Sequence, residues 1–166
     1  MAGSVSREII AAVVVGAGAT VVMDLWAAFQ RHVFSIPSLN YAMVGRWLGH
    51  LPRGHFVHDS IGKAEPIKYE AAIGWIFHYI VGIAFALLLV FVWGEEWLTQ
   101  PSFLPAAIIG IGSVVAPFFI MQPGLGAGIL ASRTPNPWLS RFRSIVAHTS
   151  FAIGLYLAGL LVSLMY

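Results

Sequence analysis

The sequence predicts an all-α integral membrane protein: a bundle of four spanning helices with a short interfacial helix in the first loop. Three observations predict it. Hydrophobic residues make up 58% of the 166 and charged residues only 10%, where a soluble domain carries about a quarter charged. Mean hydropathy is +0.82. The apolar residues also fall into four continuous runs, each near the roughly 20 residues a spanning helix needs. Continuous rather than alternating runs exclude a β-barrel, and helices are then the spanning solution that satisfies the backbone. Little is left for a soluble domain, so residues 1–166 read as a single transmembrane domain.

The first run extends from Ile9 to about Phe34. Arg7 ahead of a short apolar stretch ending Ala17-Gly18-Ala19 has the outline of a secretory signal, but the expectation is that the segment remains as the first span. Ser35 to Glu70 follows, broken by Pro37, Pro52 and Pro66. Its centre, Tyr41 to His50, places Met43, Trp47 and His50 on one helical face, the pattern of a helix lying at the membrane surface. The second run is Ala71 to Trp93. A short acidic loop, Gly94-Glu95-Glu96-Trp97, separates it from the third, with Trp93 and Trp97 as expected interfacial anchors. Phe103 to about Gln122 is the third run, interrupted by Pro117 and followed by Pro123. A Gly- and Pro-rich loop leads to the fourth run, Ser144 to Tyr166.

Charge sets the orientation. Arg31, Arg46, Arg53, Lys63, Lys68, Arg133, Arg141 and Arg143 fall on one side and Arg7 alone on the other. Cytoplasmic loops collect Lys and Arg, so the first and third loops are expected in the cytoplasm and both termini outside, in an inner membrane crossed several times. The formal net charge is +2, too weak for nucleic-acid binding. The expected partners are the lipid bilayer and either further copies of the chain or a larger membrane complex. With no cysteine, disulfides, thiolate metal ligation and thiol nucleophiles are excluded.

Candidate functional residues are the polar ones inside the spans, where an ionisable group costs on the order of 3 kcal/mol unless partnered or hydrated. Asp24 shares a face of the first helix with Gly16, Ala17, Thr20, Ala27, Ala28 and Arg31. His78 stands on the ridge Gly74, His78, Gly82, Ala86, and His148 shares a face with Ser144 and Ala152. Small-residue faces pack against other helices rather than lipid, so all three are expected to point inward. They lie on the order of 6 to 15 Å from the cytoplasmic boundary, counted at 1.5 Å per residue. The expectation is a pocket shared by Asp24, His78, His148 and the Met121–Gln122 end of the third helix. His78, His148 and Asp24 there would suit haem or a transition metal such as zinc, iron or copper. Structural pairing, for instance of Asp24 with Arg31, is the competing reading.

Among the loop histidines His50, His55 and His58, the last two are three apart, a spacing at which one helical face chelates a metal. Gly126-Ala-Gly128-Ile-Leu-Ala131 has the letters of a dinucleotide fingerprint but follows a membrane span instead of a β-strand. It therefore reads as close backbone packing or a short re-entrant turn. No Walker motif, nucleophile elbow or catalytic carboxylate pair occurs, and no reaction is named.

Six stretches in order carry a family resemblance: Gly16 to Ala27, Val44 to His50, Gly54 to His58, Gly74 to Tyr79, Pro117 to Pro123 and Ala131 to Pro135. On these the chain resembles the bacterial membrane proteins grouped as domain of unknown function 2938. The resemblance implies a small helical inner-membrane protein of uncharacterised activity and supplies no catalytic residues. Lys68-Tyr69-Glu70 departs from the family's wording, so no role is carried to Glu70. Three functional classes remain: a protein binding a small ligand, metal or haem; an accessory or assembly subunit of a larger complex; and a small proton-coupled transporter with Asp24 titrating.

Overall fold

A computed structural model describes the backbone of residues 2–165 and the side chains of residues 6–165. Among these residues the chain is helical with no strand: α1 (Ala2–Phe34), α2 (Tyr41–His50), α3 (Glu70–Thr99), α4 (Phe103–Gly112), α5 (Gln122–Leu125) and α6 (Pro137–Ser163). Four segments are long and apolar enough to cross a membrane: Ser6–Phe34, Glu70–Thr99, Phe103–Leu125 and Pro137–Ser163. They match the four expected runs, with shifted ends. Tyr166, which closes the fourth run, lies outside the described residues.

Each shift has a local cause. The second span does not stop at Trp93. Gly94 takes φ +71 and ψ −170, a conformation that costs glycine little, and the helix resumes to Thr99. The turn swings Trp97 inward, where it is 3% exposed. Its indole N–H donates to the Ser102 carbonyl at 3.0 Å, and Gly159 leaves room for its ring. Trp97 is a core residue rather than the expected interfacial anchor. The fourth helix begins at Pro137, before the charged residues Arg141 and Arg143 that mask its start. The Asn136 side chain caps it by accepting from Leu139 N–H at 3.1 Å, with Pro137 at the first helical position, where no N–H is needed.

The third span is broken as its prolines require. Pro117 has no N–H to offer the Ser113 carbonyl; α4 ends at Gly112 and a π-helical turn spans Pro117–Met121. Gln122 N–H reaches back to the Pro117 carbonyl, and α5 then stops at Gly126, whose φ is +94.

The chain divides into two compact units. The first comprises Met1–Pro37, Tyr79–Ser113 and Val146–Tyr166; the second comprises Ser38–His78 and Val114–Ile145. The first is a helical bundle whose core mixes alanines with larger apolar residues, of which Leu89, Leu98 and Leu155 are wholly buried. Small residues let its helices approach closely. Gly16 of α1 faces the α3 backbone at Gly82 and Ile83, and Gly82 faces Thr20. Gly154 of α6 lies against Ala19, and Gly110 of α4 against Ala152.

In the second unit, α2 forms where a helix was expected. Asn40 caps it by accepting from Ala42 N–H at 3.0 Å. The face bearing Trp47 and His50 is buried against the unit's own residues. Two glycines seat α2 on the start of α3: Gly45 against the Glu70 carbonyl and Gly74 against the Tyr41 carbonyl.

Candidate functional site

Two hydrogen bonds join polar side chains of different helices in the first unit. The Tyr79 hydroxyl donates to Asp24 Oδ2 at 3.1 Å, joining α3 to α1. Ser113, where α4 ends, lies 2.7 Å from His148 Nδ1 on α6. The Ser113 hydroxyl donates to the Gly110 carbonyl at 2.6 Å. Its one proton is thereby used, so the hydrogen bond from the imidazole must run from His148 Nδ1–H to Ser113 Oγ. In that direction His148 Nδ1 carries a proton.

The two couples lie near one level. Gly154 meets Ala19 and Val22, while Gly18 meets Ala158, so α1 and α6 run antiparallel with residue numbers that sum to about 175 along the seam. His148 therefore stands within about one turn, or 6 Å, of the level of Asp24.

His78, Met121 and Gln122 belong to the second unit. His78 Nε2 and the Tyr41 hydroxyl are 3.0 Å apart, and the Tyr41 ring lies against both Trp75 and His78, with centroids at 4.3 and 4.5 Å. Gln122 is buried; its Nε2 donates to Ser144 Oγ at 3.3 Å, and its Oε1 has no hydrogen-bond partner among the described residues. Met121 is half-buried beside it.

The first loop is folded around Arg46. This side chain sends Nε to Glu70 Oε2 and Nη2 to Glu70 Oε1, both at 2.8 Å, and Nη1 to the carbonyls of Ile61 (3.3 Å) and Ala64 (3.1 Å). The hydrogen bond to Glu70 raises the guanidinium above its already high ordinary pKa, against the effect of burial. Trp47 Nε1–H donates to the Phe56 carbonyl at 2.9 Å, and the Trp47 ring covers Gly124.

The rings of His50, His55 and His58 gather with centroids 5.1 to 6.4 Å apart. Among the described residues, no three His, Asp or Glu side chains stand where they could hold a metal ion. Gly126, the first glycine of the fingerprint-like stretch, meets the carbonyls of His58 and Asp59. Its role is therefore close backbone packing.

The sequence pointed to Asp24, His78 and His148 because an ionisable group in an apolar run is conspicuous. It missed Tyr79, Ser113 and Tyr41, since a hydroxyl in a span draws no notice alone. It also set Glu70 aside, although an acid in the first turn of a long helix is favoured there by the helix dipole.

Fold and site together define a helical protein with, among the described residues, four helices long and apolar enough to cross a membrane, and with acid–base groups bonded to hydroxyls inside them. The chain belongs to the family described as protein of unknown function DUF2938, which it matches over residues 13–162. Neither the curated proteins nor the solved structures contain a match.

Proposed function

We propose that the protein is a multi-pass inner-membrane protein that binds a small polar or protonatable ligand in its first unit, at Asp24, Tyr79, Ser113 and His148. The first and third loops then lie in the cytoplasm and both termini outside. The observation that carries the reading is the near-common level of the Asp24–Tyr79 and Ser113–His148 couples within otherwise apolar helices. Ionisable groups there are expensive, and the helix packing does not call for them, because small residues already bring α1 onto α3 and α6. A carboxylate beside a phenol and an imidazole beside a hydroxyl can donate or accept with little rearrangement, which suits a ligand carrying hydroxyl, amine or carboxylate groups.

Binding is favoured over hydrolysis. A serine nucleophile must give its proton to the base, whereas Ser113 accepts from His148. The accessory-subunit reading loses support as well, since Gly16, Gly82, Gly110 and Gly154 all serve contacts inside the unit.

The test is native mass spectrometry of the purified protein, with its visible spectrum and metal content. The unaltered protein should retain a small ligand, or be stabilised by one in a screen. Asp24→Asn keeps a hydrogen-bonding group for Tyr79 and should lose less binding and folded yield than Asp24→Leu, which takes away the acceptor that α1 offers the phenol. His148→Gln should weaken binding. A haem band or a stoichiometric metal would identify the ligand as one of those. Wild-type behaviour of all three variants would remove the site.

A further inference from the structure

The arrangement of His50 and His58 needs more protons than two neutral imidazoles possess. His50 Nε2 lies 3.0 Å from the Glu65 carbonyl oxygen, and His58 Nδ1 lies 3.1 Å from the Gly124 carbonyl oxygen. A carbonyl only accepts, so both of these nitrogens carry a proton. The other two, His50 Nδ1 and His58 Nε2, face each other at 2.9 Å. On two neutral rings both would be bare lone pairs, and the approach would be repulsive. One further proton between them makes a charge-assisted hydrogen bond.

We propose that the His50–His58 pair is a proton-binding site, which takes up one proton and thereby pins the first loop to α5 at the end of the third span.

The surroundings suit such a clasp. His50 is 6% exposed and His58 half-buried. His58 also donates its backbone N–H to the Gly124 carbonyl at 3.1 Å, so both of its links reach the same residue of α5. The Trp47 ring covers Gly124, and Gly126 packs on the His58 and Asp59 carbonyls. The neighbouring ionisable groups come from each segment packed on the pair. Arg46 precedes His50 by one turn on α2, and His55 and Asp59 flank His58 in the loop. Glu65 offers its carbonyl while its carboxylate turns outward to Arg53 at 3.9 Å. Glu70 at the start of α3 lies within electrostatic reach of His50, and Arg46 already neutralises it. From α5 the pair meets the Gly124 carbonyl.

The occupant is a proton rather than a metal ion because 2.9 Å is a hydrogen-bond separation and no third ligand joins a metal-holding group among the described residues. The closed geometry requires the third proton, whereas separated rings bonded to water do not. Acid therefore favours closure, and the clasp is lost as pH rises. Histidine makes such a change available between about pH 5 and 8.

Amide hydrogen exchange on the full chain in detergent, corrected for the intrinsic effect of pH, reads the clasp at His58 and its neighbours. Protection of residues 54–60 should fall by about tenfold or more between about pH 5.5 and pH 8. In His50→Gln and His58→Gln it should be low at both pH values, while His55→Gln should keep the wild-type response. Where a glutamine variant fails to fold, nitrogen NMR of the unaltered protein carries the test, with one bridging proton shared by His50 Nδ1 and His58 Nε2 in acid and absent in alkali. A wild-type loop indifferent to pH, a response surviving in both variants, or no bridging proton in acid would overturn the proposal. So would a bound metal whose chelation opens the loop in acid.

Discussion

Arg46 commits all three of its guanidinium nitrogens to the protein. The two that face Glu70 form a planar fork on its carboxylate, and the third holds the loop carbonyls of Ile61 and Ala64. A lysine cannot reproduce that geometry, because an ammonium is a point charge on a flexible stem. Arg46→Lys should therefore lower the thermal unfolding midpoint in detergent by several degrees although the charge is kept. Arg53 provides the control. It meets Glu65 at 3.9 Å with both side chains largely in solvent, and Arg53→Ala should change stability by less than about 1 kcal/mol. A drop for Arg53→Ala as large as for Arg46→Lys would mean that the buried fork is not what orders the loop. At this scale the sequence was half legible. It exposed the groups that are costly in lipid, but their partners come from segments distant in the chain. Arg46 and Glu70 are 24 residues apart, and no local spacing links them.

The contact of α2 with α3 depends on two missing side chains. A Cβ at Gly45 would collide with the Glu70 carbonyl, and one at Gly74 with the Tyr41 carbonyl. Backbone cannot yield as a flexible side chain can, so Gly45→Val and Gly74→Val should each cost about 1–3 kcal/mol or more. Gly112 has nothing within 4 Å of the place where a Cβ would stand. Gly112→Ala, in a helix, should be neutral or stabilising by up to about 1 kcal/mol. Detergent unfolding curves of the three variants check the contrast, and equal losses would show that helix propensity rather than fit dominates. The elements were legible where a continuous apolar run fixes the period. Their ends were not: hydropathy does not register the turn that Gly94 permits or the cap that Asn136 supplies.

For the whole molecule, the distribution of basic residues predicts how the chain is threaded through the membrane. If all four candidate spans cross the membrane, eight of the nine Lys and Arg residues fall on one side, so Ser60→Cys and Pro135→Cys should resist an impermeant thiol reagent in intact cells while Gln100→Cys is labelled. The absence of native cysteine makes the readout clean, and labelling at 60 or 135 would reverse the orientation. The class of fold was readable from composition alone. What composition could not convey is that the first loop is folded onto the end of the third span through His58, Gly124 and Gly126, since such pairing leaves no trace in hydropathy.

The Arg7 side chain donates to the carbonyl of Met165 at 3.0 Å, so the beginning of α1 and the residues just past α6 stand side by side. A short bridge between those positions would close the polypeptide into a ring without moving either helix, and the ring could then be reopened elsewhere, for example at exposed Gly54. A permuted chain with that bridge and that opening should keep the helical content of the original in detergent, as circular dichroism would show.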